Sequence, residues 1–269
     1  MGELVRGDDG LPVYADVGPW VRDEKHRALA DYLKYHAHPR AGFPTRAYVE
    51  VFCGPGRARV RDSGEYIDGS PVVAWEASKV KAPFTAMYIA DSNEEARRAC
   101  AERLRRRGAP VVEVEGDAIT AAAAIARVLD PRGFHFAFID PYNLGELRLE
   151  LLRTLAALRY MDQMVHLSAM DLFRNLDHNL AGDSKEFDDF APGWQAHVPA
   201  GQSRGVQRRA IVRHWKSLVD AMGLYSHSEM QVRNKRNRDM YWLLMLSHHP
   251  LAGTFWDIVL DSGPQPRLL

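Results

Sequence analysis

Short apolar runs alternate with longer amphipathic stretches along most of this chain, the pattern of strands buried in a parallel sheet and joined by surface helices. Ala47-Tyr-Val-Glu-Val-Phe52 carries the β-branched and aromatic residues of a packed strand. Ala86-Met-Tyr-Ile-Ala90, Val111-Val-Glu-Val114, Phe134-His-Phe-Ala-Phe-Ile139 and Met164–Leu167 predict four more. Between them, Asn93–Arg107, the Ala-rich stretch after Asp117 and Leu144–Leu158 space their apolar residues as helices do. Helical patterns also cover Trp20–His36 and Val206–Met222, and Val72–Lys79 predicts a short helix. Residues 1–18 hold Gly, Asp and Pro without periodicity and predict an irregular lead-in. Asp177–Gly205 is a polar stretch rich in Gly, Asp and Pro. Near the end, Leu224–Val232 and Met240–Ser247 flank the polar turn Asn234-Lys-Arg-Asn237, a hairpin signal.

Five strand–helix alternations predict an α/β protein with a doubly wound, mostly parallel sheet, and the C-terminal hairpin adds antiparallel strands at one edge. Neither an internal repeat nor a low-complexity linker divides the 269 residues. They are expected to form one domain, with residues 1–46 as lead-in and helix and residues 47–260 as the α/β core.

The first strand ends in Glu50-Val-Phe52-Cys-Gly54-Pro-Gly56. Glycines after a strand let the backbone turn sharply and approach a ligand with no Cβ in the way, and Glu50 leaves a carboxylate where open α/β sheets bind nucleotides. Glu-x-Phe-x-Gly-x-Gly matches the first motif of S-adenosylmethionine-dependent methyltransferases. It departs from the longer dinucleotide fingerprint, because Arg59 holds the third small position. Gly56 and Asp91 stand farther apart than the roughly 20 residues between glycine turn and ribose acid in that fingerprint. The excess holds the loop Gly64–Pro71 and the short helix.

Glu50, Asp91, Asp117 and Asp140 fall at or just after successive strand ends, which lie side by side in such a sheet. Asp91 can accept from ribose hydroxyls and Asp117 from adenine's amino group. The same acids can instead cap the helices that follow, Asp being a good N-cap. Asp140-Pro141-Tyr142 is the candidate reactive centre: a carboxylate beside a proline-fixed backbone accepts from a substrate amine, and the ring stacks a planar base. Read without a ligand, Asp-Pro-Tyr-Asn is a turn.

Lys plus Arg (35) balances Asp plus Glu (35), so bulk charge advertises neither nucleic acid nor membrane. The basic residues nonetheless cluster at Arg97–Arg107, Arg204–Lys216 and Arg233–Arg238, each a solvated face or a binding patch. Two cysteines are too few for a disulfide framework and suggest a reducing compartment. Cys53 is expected to be a small buried filler. The histidines lack partners at ligand spacing, and no metal is expected. No 18-residue apolar run is present, so a cytoplasmic protein without membrane contact is expected.

These motifs together resemble the three-Cys-motif partner (TcmP) family, which has a Rossmann-like methyltransferase fold. The likeness runs through Trp20, Lys25-His26, Tyr48–Gly56, Gly69-Ser-Pro71, Gly116-Asp117 and Phe138-Ile-Asp-Pro-Tyr142. It continues through Met170-Asp171-x-x-Arg174-Asn175 and Tyr241–Pro250 with Trp256. Gly69-Ser-Pro71 with an aspartate-proline motif is also similar to bacterial adenine-N6 ribosomal RNA methyltransferases. The amino-methyltransferase signature has a second proline where Tyr142 stands here. The resemblance implies S-adenosylmethionine held by Glu50, Phe52, Gly54, Gly56, Asp91, Asp117, Ala118 and Lys25, and a substrate amine at Asp140 and Pro141. Ser70, Asp171, Arg174, Asn175, Arg233, Lys235 and Arg236 are the candidate contacts to an RNA or DNA substrate. A companion protein with three cysteines is implied by the family's name. Two other functions remain open from the residues: a nicotinamide dehydrogenase, and a non-catalytic nucleoside-binding partner.

Overall fold

All six residues of Phe134–Ile139 are buried, and the molecule is layered outward from this strand. The computed structural model describes residues 3–61, 63–233 and 239–263. The chain begins with β1 (Leu4–Arg6), β2 (Pro12–Val17), a π-helical turn (Val21–His26), α1 (Arg27–Tyr35), α2 (Ala37–Ala41) and β3 (Arg46–Glu50). It continues through β4 (Arg57–Val60), β5 (Tyr66–Asp68), α3 (Ser70–Ser78), β6 (Ala86–Ile89), α4 (Glu94–Arg106), β7 (Val111–Glu113), α5 (Ala118–Val128) and β8 (Phe134–Ile139). Then come α6 (Leu149–Ala156), β9 (Met161–Leu167), α7 (Ala169–Ala181), α8 (Glu186–Phe190) and α9 (Arg204–Asp220). Strands β10 (Tyr225–Ser226), β11 (Met230–Arg233) and β12 (Asp239–Ser247), with α10 (Pro250–Asp261), complete it.

The central sheet has the order β7-β6-β3-β8-β9-β12-β10, with β11 beside β10 on the same edge of β12. Strands β3, β6, β7, β8 and β9 run parallel, and β12 is antiparallel to β9. The predicted doubly wound sheet with antiparallel C-terminal strands is therefore present. Alternation along β8 sends Phe134, Phe136 and Phe138 to one face, among Leu29, Trp75 and Trp256. Ala137 and Ile139 face the other side, among Ile125, Leu152 and Trp215. From β3 the chain passes outward to β6 and β7, then returns to β8 on the other side. The strand order reverses between β3 and β8, which opens the ligand crevice at their carboxyl ends.

Several expectations are corrected. Residues 1–18 are not an irregular lead-in: β1 and β2 join β4 and β5 in a second sheet, order β1-β2-β4-β5. These strands are too short for a visible period, and a Gly7–Gly10 turn joins the first two. The loop expected over Gly64–Pro71 includes β5 and the start of α3. Strand β9 begins at Met161 because Asp162 and Gln163 are buried with partners: Tyr32 Oη donates to Asp162 at 2.6 Å, and Gln163 Nε2 to the Leu152 carbonyl at 3.2 Å. Leu144–Leu158 is not one helix, since a 3₁₀ turn (Leu144–Glu146) precedes α6. The polar stretch 177–205 holds the end of α7 and all of α8. No described helix is long and apolar enough to cross a membrane.

The two sheets meet at glycines. Gly69 N donates to the Gly56 carbonyl at 2.8 Å, and a Cβ on Gly69 would lie 2.7 Å from the Gly56 carbonyl carbon. Neither backbone can yield, so Gly69→Ala is expected to cost about 1–3 kcal/mol. Gly42 has φ −74° and only a carbonyl oxygen 3.5 Å from its Cβ position. Gly42→Ala is expected to stabilise by about 0.4–1 kcal/mol through the unfolded chain. Urea midpoints of the two variants, moving in opposite directions, check this packing.

Candidate active site

The crevice is walled by two acids at the ends of neighbouring strands, Glu50 buried and Asp140 half-buried. Glu50 ends β3 with no exposure, and its carboxylate accepts from Tyr48 Oη and from Ser70 Oγ at 2.6 Å. Ser70 is the first residue of α3, and the Gly69–Gly56 contact fixes its position. Burial pushes the Glu50 carboxyl up to about 8 despite both hydrogen bonds, and the nearby Asp140 charge adds to the rise.

Asp140 follows β8 and answers burial differently. Lys25 Nζ, carried by the π-helical turn, donates to its Oδ2 at 2.5 Å. Burial raises this carboxyl, but Lys25, His166 and His26 outweigh it, and the group stays below the usual carboxylate range. Asp140 therefore keeps its charge while Glu50 keeps its proton at neutral pH. His166 Nδ1 lies 3.4 Å from Asp140 Oδ1 with no hydrogen bond formed. Burial lowers His166 to about 4, so the ring is neutral at pH 7. Tyr241 holds that ring, centroids 4.4 Å apart. No hydrogen bond among the described residues reaches Asp140 Oδ1, so an acceptor oxygen of a charged carboxylate remains open.

The glycine turn lies beside this pair. Asp91 accepts from Gly54 N and Asn93 N, both at 2.9 Å, which aims the end of β6 at the turn. Gly54 (φ +54°) lies against the Tyr14 ring, 2.7 Å from its Cβ position to the ring edge. Tyr14 belongs to β2, so the small sheet forms a wall of the crevice. Burial, then the Asp91 charge, raises the Tyr14 phenol. Phe52 and Ala118 are half-buried against the core. Asp117 caps α5, accepting from Thr120 N at 2.8 Å, and its side chain is otherwise exposed. Asp91 and Asp140 do not cap, because Asn93 caps α4 and Asn143 the 3₁₀ turn.

Other candidates scatter. Pro141 is buried, whereas Tyr142 is 67% exposed. Asp171 accepts from Leu144 N at 2.8 Å, tying α7 to the Asp140 loop. Asn175 donates to Glu186 at 2.7 Å. Arg174 lines a cavity beyond that loop. Arg233 pairs with Asp239 at 2.8 Å, and Lys235 and Arg236 lie outside the described residues. Lys25, implied as a cofactor contact, pairs with Asp140. His166 and Tyr14 went unread in the sequence: one sits in a strand that reads as core, the other in a stretch without a period.

A proton shared so unevenly leaves a pH signature. The folded carboxyl of Glu50, near 8, stands above its unfolded value, so its contribution is full below about 4.5 and lost as pH rises through 8. Wild-type Tm should therefore fall between pH 5 and pH 9 relative to Glu50→Gln, measured by calorimetry across that range. Parallel curves would mean that Glu50 is ionised throughout.

No family model matches this chain, and no curated protein matches it. Solved structures do. The chain is similar to protein LPL1258 from Legionella pneumophila str. Philadelphia 1, of family model DUF519, at 12% identity and TM-score 0.57, covering 91% of this chain and 92% of that one. It is also similar to magnesium protoporphyrin IX methyltransferase from Synechocystis PCC 6803 with bound SAH, at 14% identity and TM-score 0.46, covering 86% and 88%. Trm1 from Pyrococcus horikoshii with S-adenosyl-L-methionine matches at 14% identity and TM-score 0.46, covering 88% of this chain and 58% of that one. With its strand order and antiparallel β12, the chain has the Rossmann-like methyltransferase fold.

Proposed function

We propose that this chain is an S-adenosylmethionine-dependent methyltransferase acting by direct transfer on an amino group of a nucleic-acid base, adenine-N6-like. The open Oδ1 of a charged Asp140, at the carboxyl end of β8 beside the Gly54–Gly56 turn, carries this reading.

The crevice fits a nucleoside with a cationic tail. Gly54 (φ +54°) and Gly56 (φ +74°) turn the backbone sharply after β3, and the missing Cβ of Gly56 lets α4 pack close behind the turn, with Cys100 Cα 3.1 Å from that position. Asp91 retains lone pairs for ribose hydroxyls, and Asp117 presents an exposed carboxylate for a base amine. Glu50, Phe52 and Ala118 complete the donor side. Once bound, S-adenosylmethionine supplies an electrophilic methyl on sulfur. The protein's part is to hold the acceptor. Asp140 Oδ1 accepts an N–H from the amine and builds density on nitrogen, while Lys25 on Oδ2 keeps the carboxylate ionised. Exposed Tyr142, next but one in sequence, offers a face on which the base can stack. Fixing both partners in line supplies much of the acceleration.

Asp140→Ala should bind S-adenosylmethionine within a few-fold of wild type, yet lose about a hundredfold or more in methyl transfer. Asp140→Asn, whose amide oxygen still accepts, should retain more. The assay is labelled methyl transfer to total RNA and DNA; equal activity of wild type and Asp140→Ala would remove the residue from the mechanism. Donor binding without transfer to any pool would favour the non-catalytic partner. Because Lys25 depresses Asp140, Lys25→Met should move the acid limb of kcat/KM to higher pH, whereas an unshifted limb would separate the two residues.

A further inference from the structure

Two arginine-rich helices are treated oppositely by this fold. On α4, Arg97, Arg98, Arg103, Arg105 and Arg106 each meet a carboxylate: Glu113, Glu94, Asp9, Glu113 and Glu102. That cluster is neutralised within the protein. On α9, Arg204 pairs with Asp177, but no carboxylate among the described residues pairs with Arg208, Arg209 or Arg213. Arg174 on the facing α7 is equally unpaired among them.

These free cations share a groove. A cavity of about 670 Å³ opens between α7, the start of α9 and β12, lined by Met170, Phe173, Arg174, Arg208, Arg209 and Trp242. Asp239 also borders it, but Arg233 holds that carboxylate at 2.8 Å. The Arg208 guanidinium stacks 4.6 Å from the Phe173 ring centroid, and Phe173 is 63% exposed. Trp242 Nε1 is buried without a partner. A second cavity of about 460 Å³ shares Arg209 and continues to Arg213 and His197. The groove adjoins the candidate active site, since Asp171 in the first turn of α7 holds the Leu144 amide of the Asp140 loop and Trp242 pairs with Leu167 at the end of β9.

We propose that this groove binds single-stranded polynucleotide flanking the methylated base, with Arg174, Arg208 and Arg209 on phosphates and Phe173 stacking one neighbouring base. It rests on the methyltransferase reading only in placing the target base at Asp140. Unpaired guanidiniums in a groove suit a polyanion, and an exposed ring backed by an arginine suits an unstacked base, which a duplex does not offer. Row and ring stand on helices α9 and α7, and the row continues past one contact, as a strand requires.

The test is fluorescence anisotropy with labelled 12-nucleotide RNA and DNA single strands across a salt series. Wild type should bind with strong salt dependence. Arg208→Gln/Arg209→Gln should flatten the log–log slope by about 1.4, roughly 0.7 per lost phosphate contact. Phe173→Ala should weaken binding about tenfold at unchanged slope. Arg98→Gln/Arg106→Gln, on the neutralised helix, should change nothing. The stronger of the RNA and DNA arms identifies the strand. Wild type that fails to bind either strand, or groove variants that bind as wild type, would overturn the proposal. S-adenosylmethionine affinity, measured on the same proteins, separates the two ideas. Donor binding without strand binding sinks the groove alone, whereas groove-dependent strand binding without donor binding supports the groove and sinks the methyltransferase reading.

Discussion

Two carboxyl groups at the ends of adjacent strands, one buried and one half-buried, cannot both carry an uncompensated charge, and the site is organised around how this chain divides it. Strands β3 and β8 pair in register through Val49 and Ala137, so Asp140 follows two positions beyond the level of Glu50, near enough for its charge to raise the Glu50 carboxyl. Burial raises both. Asp140 has an ammonium at 2.5 Å and stays charged; Glu50 has only two hydroxyls and is pushed up to about 8. Environments that drive neighbouring carboxyls apart in this way assign them separate roles. In the proposed reaction the charged one would face the acceptor and the neutral one would brace the donor side.

Much of the surrounding architecture serves that division. Lys25 reaches Asp140 from a π-helical turn, the kind of local irregularity that re-aims a side chain. Ser70 reaches Glu50 because Gly69 lies flat against Gly56. That glycine contact also seats the small sheet, and with it Tyr14, over the crevice. The N-terminal segment thus supplies both a wall and the key cation, although it lies outside the strand–helix alternation that builds the core.

Legibility in the sequence followed the range of the interactions. Strands β3, β6 and β8 were readable because each is a continuous apolar run, and the sheet's winding follows from their alternation with helices. Glu50 and Asp140 were readable as strand-end acids. Their difference was not, since it arises from Lys25, 115 positions from Asp140 in sequence, and from Ser70. Asp162 and Gln163 hid the start of β9 for the same reason: their partners, Tyr32 and Leu152, belong to other elements. The basic clusters looked alike in sequence, and only the fold, by bringing Asp9 and Glu113 to α4, separates the neutralised row from the free one.

The central claim is that a cationic donor enters beside a protonated Glu50. Titration calorimetry of S-adenosylmethionine into the wild-type protein at pH 7, in two buffers of different ionisation enthalpy, tests it most directly. A positive ligand beside Glu50 lowers its pKa and expels part of its proton. One-to-one binding is expected, with heats that differ between buffers and report release of up to about one proton. Absence of binding at millimolar ligand, or binding whose heat is the same in both buffers, would contradict the account.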